Sequence, residues 1–192
     1  MNEPNKFEIP LSEKLKSIPG FFGIRLDEEP PYEVLSQDGD KEIRLYNEQT
    51  WVSTPMRFYD EKEREQAFLR LAKYIFGNSI SMTIPVVLKE DSDGWVMSFV
   101  LPKTVPLDLA PHPADEHVVL SRVEPQIFAT LRYSGNYDLR TMNAKARELE
   151  MWVSAQSGFR SASIPRWANY DAPITIPFLK RNEAQIQVLP MQ

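Results

Sequence analysis

The chain has 192 residues, a formal net charge of −5, and a composition that is 42% hydrophobic and 26% charged. This balance is typical of one soluble globular domain that buries a core without a metal or disulfide. The acidic charge disfavours a nucleic-acid partner, and the absence of cysteine excludes thiolate chemistry. No apolar run is long enough to span a bilayer and the first residues lack a signal-peptide pattern, so we expect a cytoplasmic protein.

Proline and turn residues divide the chain into an extension and a domain. The first 31 residues contain five prolines, and we expect them to precede a domain at residues 32–192. Runs rich in β-formers predict strands at 32–37, 42–47, 49–58, 80–88, 95–101, 117–123, 126–134, 167–176 and 183–189. The turn signal Asp38-Gly39-Asp40 joins the first two strands as a hairpin.

Two amphipathic helices interrupt the strands. The first is predicted from Glu61 to Phe76, with Asp60 and Glu63 as a capping box at its start. Its apolar face holds Phe68, Leu71, Ala72 and Ile75 at helical spacing. A second helix at about 137–157 presents Leu139, Met142, Ala146, Leu149 and Val153 on one face. We expect both apolar faces to be buried against a sheet.

The order of strands and helices repeats along the chain. An offset of 88 residues aligns Pro85 with Pro173, and we predict pseudo-repeats at about 40–102 and 117–190. The predicted fold is α+β, with duplicated β/α/β units forming a distorted antiparallel sheet or open barrel flanked by two helices. Because proline removes a ladder donor, Pro85 belongs at an edge, a bulge or a strand start, where the sheet could open into a groove. Met82 would line that groove or fill the core.

The chain carries none of the common catalytic motifs. It lacks glycine-rich phosphate loops, GxSxG and HExxH. His112 and His117 lie five residues apart in the linker PHPADEH, which we expect to be solvated and away from the first helix. We therefore predict neither a metal site nor an enzyme. Lys73 and Tyr74 border the apolar face of the first helix, where they could cap a groove.

Five stretches of the sequence resemble the SOUL family of haem-binding proteins over roughly residues 31 to 190. They are YEVLSQDGDKEIRLY, WVSTPM, RLAKYIFGNSISMTIPVVL, WVMSFVLP and NYDAPITIPFLKRNEAQIQV, in this order. The resemblance implies a distorted antiparallel barrel flanked by two helices. It also implies reversible binding of haem or another tetrapyrrole in a shallow hydrophobic groove beside the first helix.

The resemblance also assigns roles to residues of the first helix. An apolar groove position falls on Phe68, and a lysine that meets a haem propionate falls on Lys73. The arginine for the other propionate falls on Glu65, so Arg64 or Arg70 would have to replace it.

An iron ligand is not carried over, because the histidine of one branch of the family falls on Leu45. We therefore expect haem to bind without a histidine ligand, so that replacing both histidines leaves the haem affinity nearly unchanged. The predicted cofactor-binding residues are Phe68, Lys73, Arg64, Tyr74 and Met82.

The predicted function is weak, exchangeable binding of haem or another tetrapyrrole, as a carrier or buffer. One alternative is a module that binds a small-molecule effector or a partner without tetrapyrroles. Another is a hydrolase-like enzyme that uses an acid such as Glu183 with a tyrosine. The absence of a recognisable nucleophile and base makes the enzyme the least favoured.

Overall fold

A computed structural model describes residues 28–171 and 175–191. The described elements are β1 (Tyr32–Asp38), β2 (Lys41–Tyr46), β3 (Gln49–Met56), α1 (Glu61–Gly77), β4 (Val86–Asp91), β5 (Gly94–Val100), β6 (Val119–Val123), β7 (Gln126–Tyr133), α2 (Leu139–Ser154), β8 (Phe159–Ser161), β9 (Arg166–Asn169) and β10 (Asn182–Pro190). Short 3-10 turns occur at Leu107–Leu109 and Pro177–Leu179. Neither of the described α-helices is long and apolar enough to cross a membrane.

The strands form one open antiparallel sheet in the order β1-β2-β7-β10-β9-β4-β5-β3-β6, and β8 pairs with the end of β10. The path is symmetric about its centre, because β7-β10-β9 on one side matches β3-β5-β4 on the other. The strand that precedes each set of three pairs with the other set. β2 precedes β3 in the chain but pairs with β7, and β6 precedes β7 but pairs with β3. The predicted α+β fold is confirmed, with an open sheet.

Pro85 stands at the start of a strand, which is one of the places predicted for it. The predicted strand 80–88 is too early, because β4 begins at Val86. β4 lies between β5 and β9 in the middle of the sheet, and Pro85 lines a small cavity on the face without helices and not a groove beside the first helix. Pro165 precedes β9 as Pro85 precedes β4, which gives an offset of 80 residues at this pair. Pro173 follows β9 in the chain and lies outside the described residues.

Helix α1 begins at the predicted cap. The Asp60 carboxylate accepts a hydrogen bond from the Glu63 backbone N–H at 2.8 Å. The Glu63 carboxylate reaches back to the N–H of Arg57 at 3.0 Å, three residues before the position that a capping box uses. At the other end, the Asn78 side-chain amide donates to the Tyr74 carbonyl at 2.8 Å, which satisfies one of the free carbonyls of the last turn.

Both helices pack on one face of the sheet and form two apolar clusters. Buried residues of α1 and α2 include Ala67, Leu71, Ile75, Met142, Ala146, Leu149 and Val153. Tyr59 and Trp95 contact both clusters, so the two halves share one core. Leu139 was expected in that core but is 41% exposed, because it is the first residue of α2. Phe68 is only partly buried, with its ring 5.3 Å from that of Phe99.

Replacing Leu71, which is fully buried, tests this packing. We expect Leu71→Ala to lower the free energy of unfolding by about 2–5 kcal/mol, because apolar contacts are lost and a cavity remains. Leu69→Ala is the matched control, since Leu69 is 40% exposed on the same helix, and it should change the stability by less than about 0.5 kcal/mol. Equal losses in urea titrations of the two variants would show that the buried face is wrongly assigned.

Candidate functional site

A shallow cavity of about 310 Å³ flanks α1, on the side that faces the end of β3 and the linker between β5 and β6. We call it the α1 groove. Its lining residues are Pro55, Met56, Arg57, Glu63, Gln66, Ala67, Arg70, Asp93 and His117. Its volume is at the lower end of the range for small-molecule sites, about 300–1,000 Å³.

The tip of the β4–β5 hairpin forms one wall of the α1 groove. Gly94 has a φ of +137°, and a Cβ atom at this position would stand 2.6 Å from the Met56 carbonyl oxygen and 2.9 Å from that of Arg57. Only glycine permits this approach of the hairpin to the end of β3. The contact brings Asp93 into the same lining as Met56 and Arg57.

The linker that forms the opposite wall crosses α1. The Tyr74 hydroxyl donates to the Pro111 carbonyl at 2.8 Å, and Val118 is buried in the apolar cluster around α1. These two contacts hold the intervening residues against the helix and place His117 in the α1 groove. The expectation that His117 lies away from the first helix is therefore wrong. This hydrogen bond joins residues 37 positions apart, so a local sequence pattern does not predict it.

Two arginines give the α1 groove its cationic groups. Arg70 donates from Nη1 to the Thr54 hydroxyl at 2.9 Å, and its Nε lies 3.4 Å from an Asp115 carboxylate oxygen. Within residues 28–171 and 175–191, Arg57 has no ion-pair partner. The lining thus offers one guanidinium group that is held in place and one that is available to a carboxylate.

None of the five predicted site residues lines the α1 groove. Phe68 and Met82 pack against the apolar cluster around α1, and Lys73 is exposed to solvent. Tyr74 is 7% exposed, and its hydroxyl is engaged by the linker. The structure therefore does not gather these four side chains around one cavity.

Arg64, the fifth predicted residue, lies on the other flank of α1. Its guanidinium carbon is 5.2 Å from the ring centroid of Tyr59 and 4.6 Å from that of Tyr137. The Lys180 ammonium lies 5.1 Å from the same Tyr137 centroid. Burial lowers the pKa of Lys180, and the nearby Arg64 lowers it further. Two cations thus share one aromatic ring, a pair that the sequence reasoning missed because 116 residues separate them.

Comparison with known proteins agrees with this fold. Residues 27–187 match the model of the SOUL haem-binding protein family, which is most of the chain. The chain belongs to the SOUL family. The resemblance seen in the sequence is therefore confirmed. No curated protein matches the chain.

Solved structures similar to this SOUL-family chain are distant in sequence. The C-terminal domain of EcmrR has 13% identity and a TM-score of 0.61, with 83% of this chain and 99% of that chain covered. An uncharacterized conserved protein from Listeria innocua has 12% identity and a TM-score of 0.56, with 80% and 94% covered. A hydrolase from Listeria innocua has 12% identity and a TM-score of 0.53, with 81% and 94% covered. At these identities the likeness concerns the fold alone.

The opposite face of the sheet buries a carboxylate, Glu183, which is fully shielded from solvent. One oxygen accepts from Arg44 Nη2 at 3.2 Å and from Arg181 Nε and Nη2 at 3.1 and 3.0 Å. The other accepts from Arg44 Nη1, the Tyr170 hydroxyl and the Gln185 amide at 2.9, 2.8 and 2.9 Å. We call these five residues the Glu183 network. Every acceptor position of the carboxylate is in use.

The charge state of Glu183 follows from these partners. Burial alone would raise the pKa of Glu183, but Arg44 and Arg181 outweigh it and hold the pKa below its usual value. Glu183 and Tyr170 are paired, as the hydrolase alternative requires, but the carboxylate is ionised and fully hydrogen-bonded at neutral pH. The arrangement is typical of a structural ion network.

Glu183→Gln should lower the free energy of unfolding by about 3–5 kcal/mol at pH 7, because two buried arginines lose the carboxylate that they share, and only Glu42 and Glu29 remain as their ion-pair partners in the described residues. Since the folded pKa lies below the unfolded value of about 4.3, the carboxylate's contribution is complete above that pH and is lost as the pH falls through the folded pKa. The difference between wild type and variant should therefore shrink at pH 3. Glu124→Gln, at an exposed position, is the control. Urea titrations with the same difference at both pH values would contradict this assignment.

Proposed function

We propose that this SOUL-family protein binds haem or another tetrapyrrole weakly and reversibly in the α1 groove, as a cytoplasmic carrier or buffer and not as an enzyme. The observation that carries the proposal is the set of side chains in the groove. It combines an imidazole, His117, with two guanidinium groups, Arg57 and Arg70. The apolar part of the lining is Pro55, Met56 and Ala67.

These side chains fit the chemistry of an iron tetrapyrrole. Imidazole nitrogen is a common axial ligand of haem iron, and the His117 side chain is 56% exposed, so it is open to a ligand. Guanidinium groups bind carboxylates such as propionates. Pro55 is the exposed apolar residue of the lining, whereas Met56 and Ala67 are buried, so apolar contact with a macrocycle would be limited. When bound, the tetrapyrrole would supply a coordination position at its metal, and the chain's own residues would orient it.

The shallow shape of the α1 groove favours modest affinity. Covering ~400 Å² of apolar surface is worth ~10 kcal/mol gross at about 25 cal/mol per Å². Association itself costs ~4 to 15 kcal/mol. The charges of the lining also nearly cancel, because Glu63 and Asp93 oppose Arg57 and Arg70. Exchangeable binding, suited to a carrier or buffer, follows from these opposing terms.

Replacing each histidine singly tests the role of the linker. His117→Ala should weaken ferric haem binding about tenfold or more, ~1.4 kcal/mol, and shift the Soret band, because the imidazole that would coordinate the iron is lost. Metal-free protoporphyrin should bind the variant as it binds wild type, since it has no iron to coordinate. His112→Ala is the matched control, because His112 does not line the α1 groove. Absorbance titration measures haem, and porphyrin fluorescence measures the metal-free ligand. If the two histidine variants have the same haem affinity and Soret band, haem binds without a histidine ligand, as expected from the sequence.

Charge reversal decides between the α1 groove and the residues predicted from the sequence. Arg57→Glu should weaken haem and metal-free protoporphyrin alike by about tenfold or more, because a propionate is repelled. Phe68→Asp and Lys73→Glu probe the sequence-predicted site in the same titrations, with circular dichroism to check folding. Loss of binding of both ligands in the Phe68 and Lys73 variants, with no loss in the Arg57 variant, would show that the site lies at the residues predicted from the sequence. If wild type binds neither porphyrin, the proposed function is wrong.

A further inference from the structure

A second cavity lies on the helix-free face of the sheet, beside the Glu183 network. Its free volume is about 10 Å³, which is room for roughly one water molecule. Its walls are aromatic and cationic, and they include Tyr32, Tyr46, Trp51, Tyr170 and Arg166. We call it the arginine cavity.

Arg166 brings to the arginine cavity a guanidinium group without a direct ion-pair partner in the described residues. Its guanidinium carbon lies 3.7 Å from the ring centroid of Phe128 and 5.0 Å from that of Trp51, and its Nε donates to Gln185 Oε1 at 2.9 Å. In the part of the chain that the structure describes, no carboxylate lies within ion-pair distance of Arg166. Burial lowers the pKa of Arg166 to about 10, so the group remains charged at neutral pH. A partly buried cation held between aromatic rings favours the approach of an anion.

The chain already brings one carboxylate to this place. Both oxygens of Glu29 accept from Arg181 Nη1 at 2.9 Å, and Glu29 and Pro30 complete the wall of the arginine cavity. The adjacent Glu28 carbonyl accepts from the Ile84 N–H at 2.9 Å, which lays residues 28–30 across the cavity as a strap. Glu29 contacts a single nitrogen of the Arg181 guanidinium group, and its side chain is 32% exposed. Its ion pair is therefore more easily replaced than those of Glu183.

We propose that the arginine cavity binds a small aromatic carboxylate, and that Glu29 stands where the carboxylate of this ligand binds. Among the described residues, the side-chain ion pairs of Arg44, Arg166 and Arg181 are with Glu42, Glu183 and Glu29, so removing the Glu29 carboxylate leaves three guanidinium groups with two carboxylates as direct partners. An acid that displaces Glu29 restores the balance, and its ring meets the aromatic wall vacated by the strap. The site is separate from the α1 groove and does not depend on the tetrapyrrole proposal.

Benzoate is the probe, and Glu29→Gln is the decisive variant, because it keeps the length of the side chain and removes its charge. Calorimetric titration should show benzoate binding to Glu29→Gln at least tenfold tighter than to wild type. Glu28→Gln is the matched control, since the Glu28 carboxylate accepts from the Lys103 N–H and does not contact Arg181. This control should bind benzoate within twofold of wild type.

Further titrations of the Glu29→Gln variant test whether binding requires the positive charge of Arg166 and the negative charge of the ligand. Adding Arg166→Gln should weaken benzoate about tenfold, whereas Arg166→Lys should retain part of the binding because the charge is kept. Benzyl alcohol, the neutral analogue, should bind at least tenfold more weakly than benzoate. The proposal is overturned if Glu29→Gln shows no benzoate binding or no gain over Glu28→Gln. Equal binding of benzyl alcohol, or indifference to Arg166→Gln, would overturn it as well.

Discussion

The buried carboxylate of Glu183 is the interaction on which the arrangement of the two halves depends. Arg44 lies on β2 and Glu183 on β10, 139 residues apart, and the two meet on one face of the sheet. An ionised group in the interior is tolerated only when all its partners are in place. Since β2 has crossed over to pair with β7, a shift of register between the halves would separate Arg44 from Glu183 and leave part of the hydrogen-bonding capacity of the buried carboxylate unused. The network therefore selects one alignment of the exchanged strands.

This constraint divides the molecule into two unlike faces. One face carries charged and aromatic residues around Glu183, with the strap of residues 28–30 closing it. The other face is apolar and is covered by α1 and α2. The α1 groove forms at the rim of the covered face, where the glycine-dependent hairpin and the crossing linker both reach the helix. Each face thus offers a different kind of ligand environment on one sheet.

Local physics explains what could be predicted from the sequence. The cap at Asp60 and the helical spacing of apolar residues belong to neighbouring positions, and α1 ends within one residue of its predicted end. The strand start at Pro85 is also a local property of proline. The predicted match of Pro85 with Pro173 lies outside the described residues, and the described strands need two offsets, 88 residues for β5 and β10 and 80 residues for β4 and β9. His117 and the Glu183 network depend on contacts between distant segments, and hydrophobic periodicity does not encode them.

The most direct test of the binding site is amide chemical-shift mapping of isotope-labelled protein titrated with diamagnetic zinc protoporphyrin. If the α1 groove binds the tetrapyrrole, the largest shifts should fall on residues 54–57, 63–70, 93–94 and 115–118. Residues around Glu183 should stay nearly unchanged, because they lie on the opposite face. Shifts centred on Arg44, Arg166 and Tyr170, with none along α1, would contradict the account.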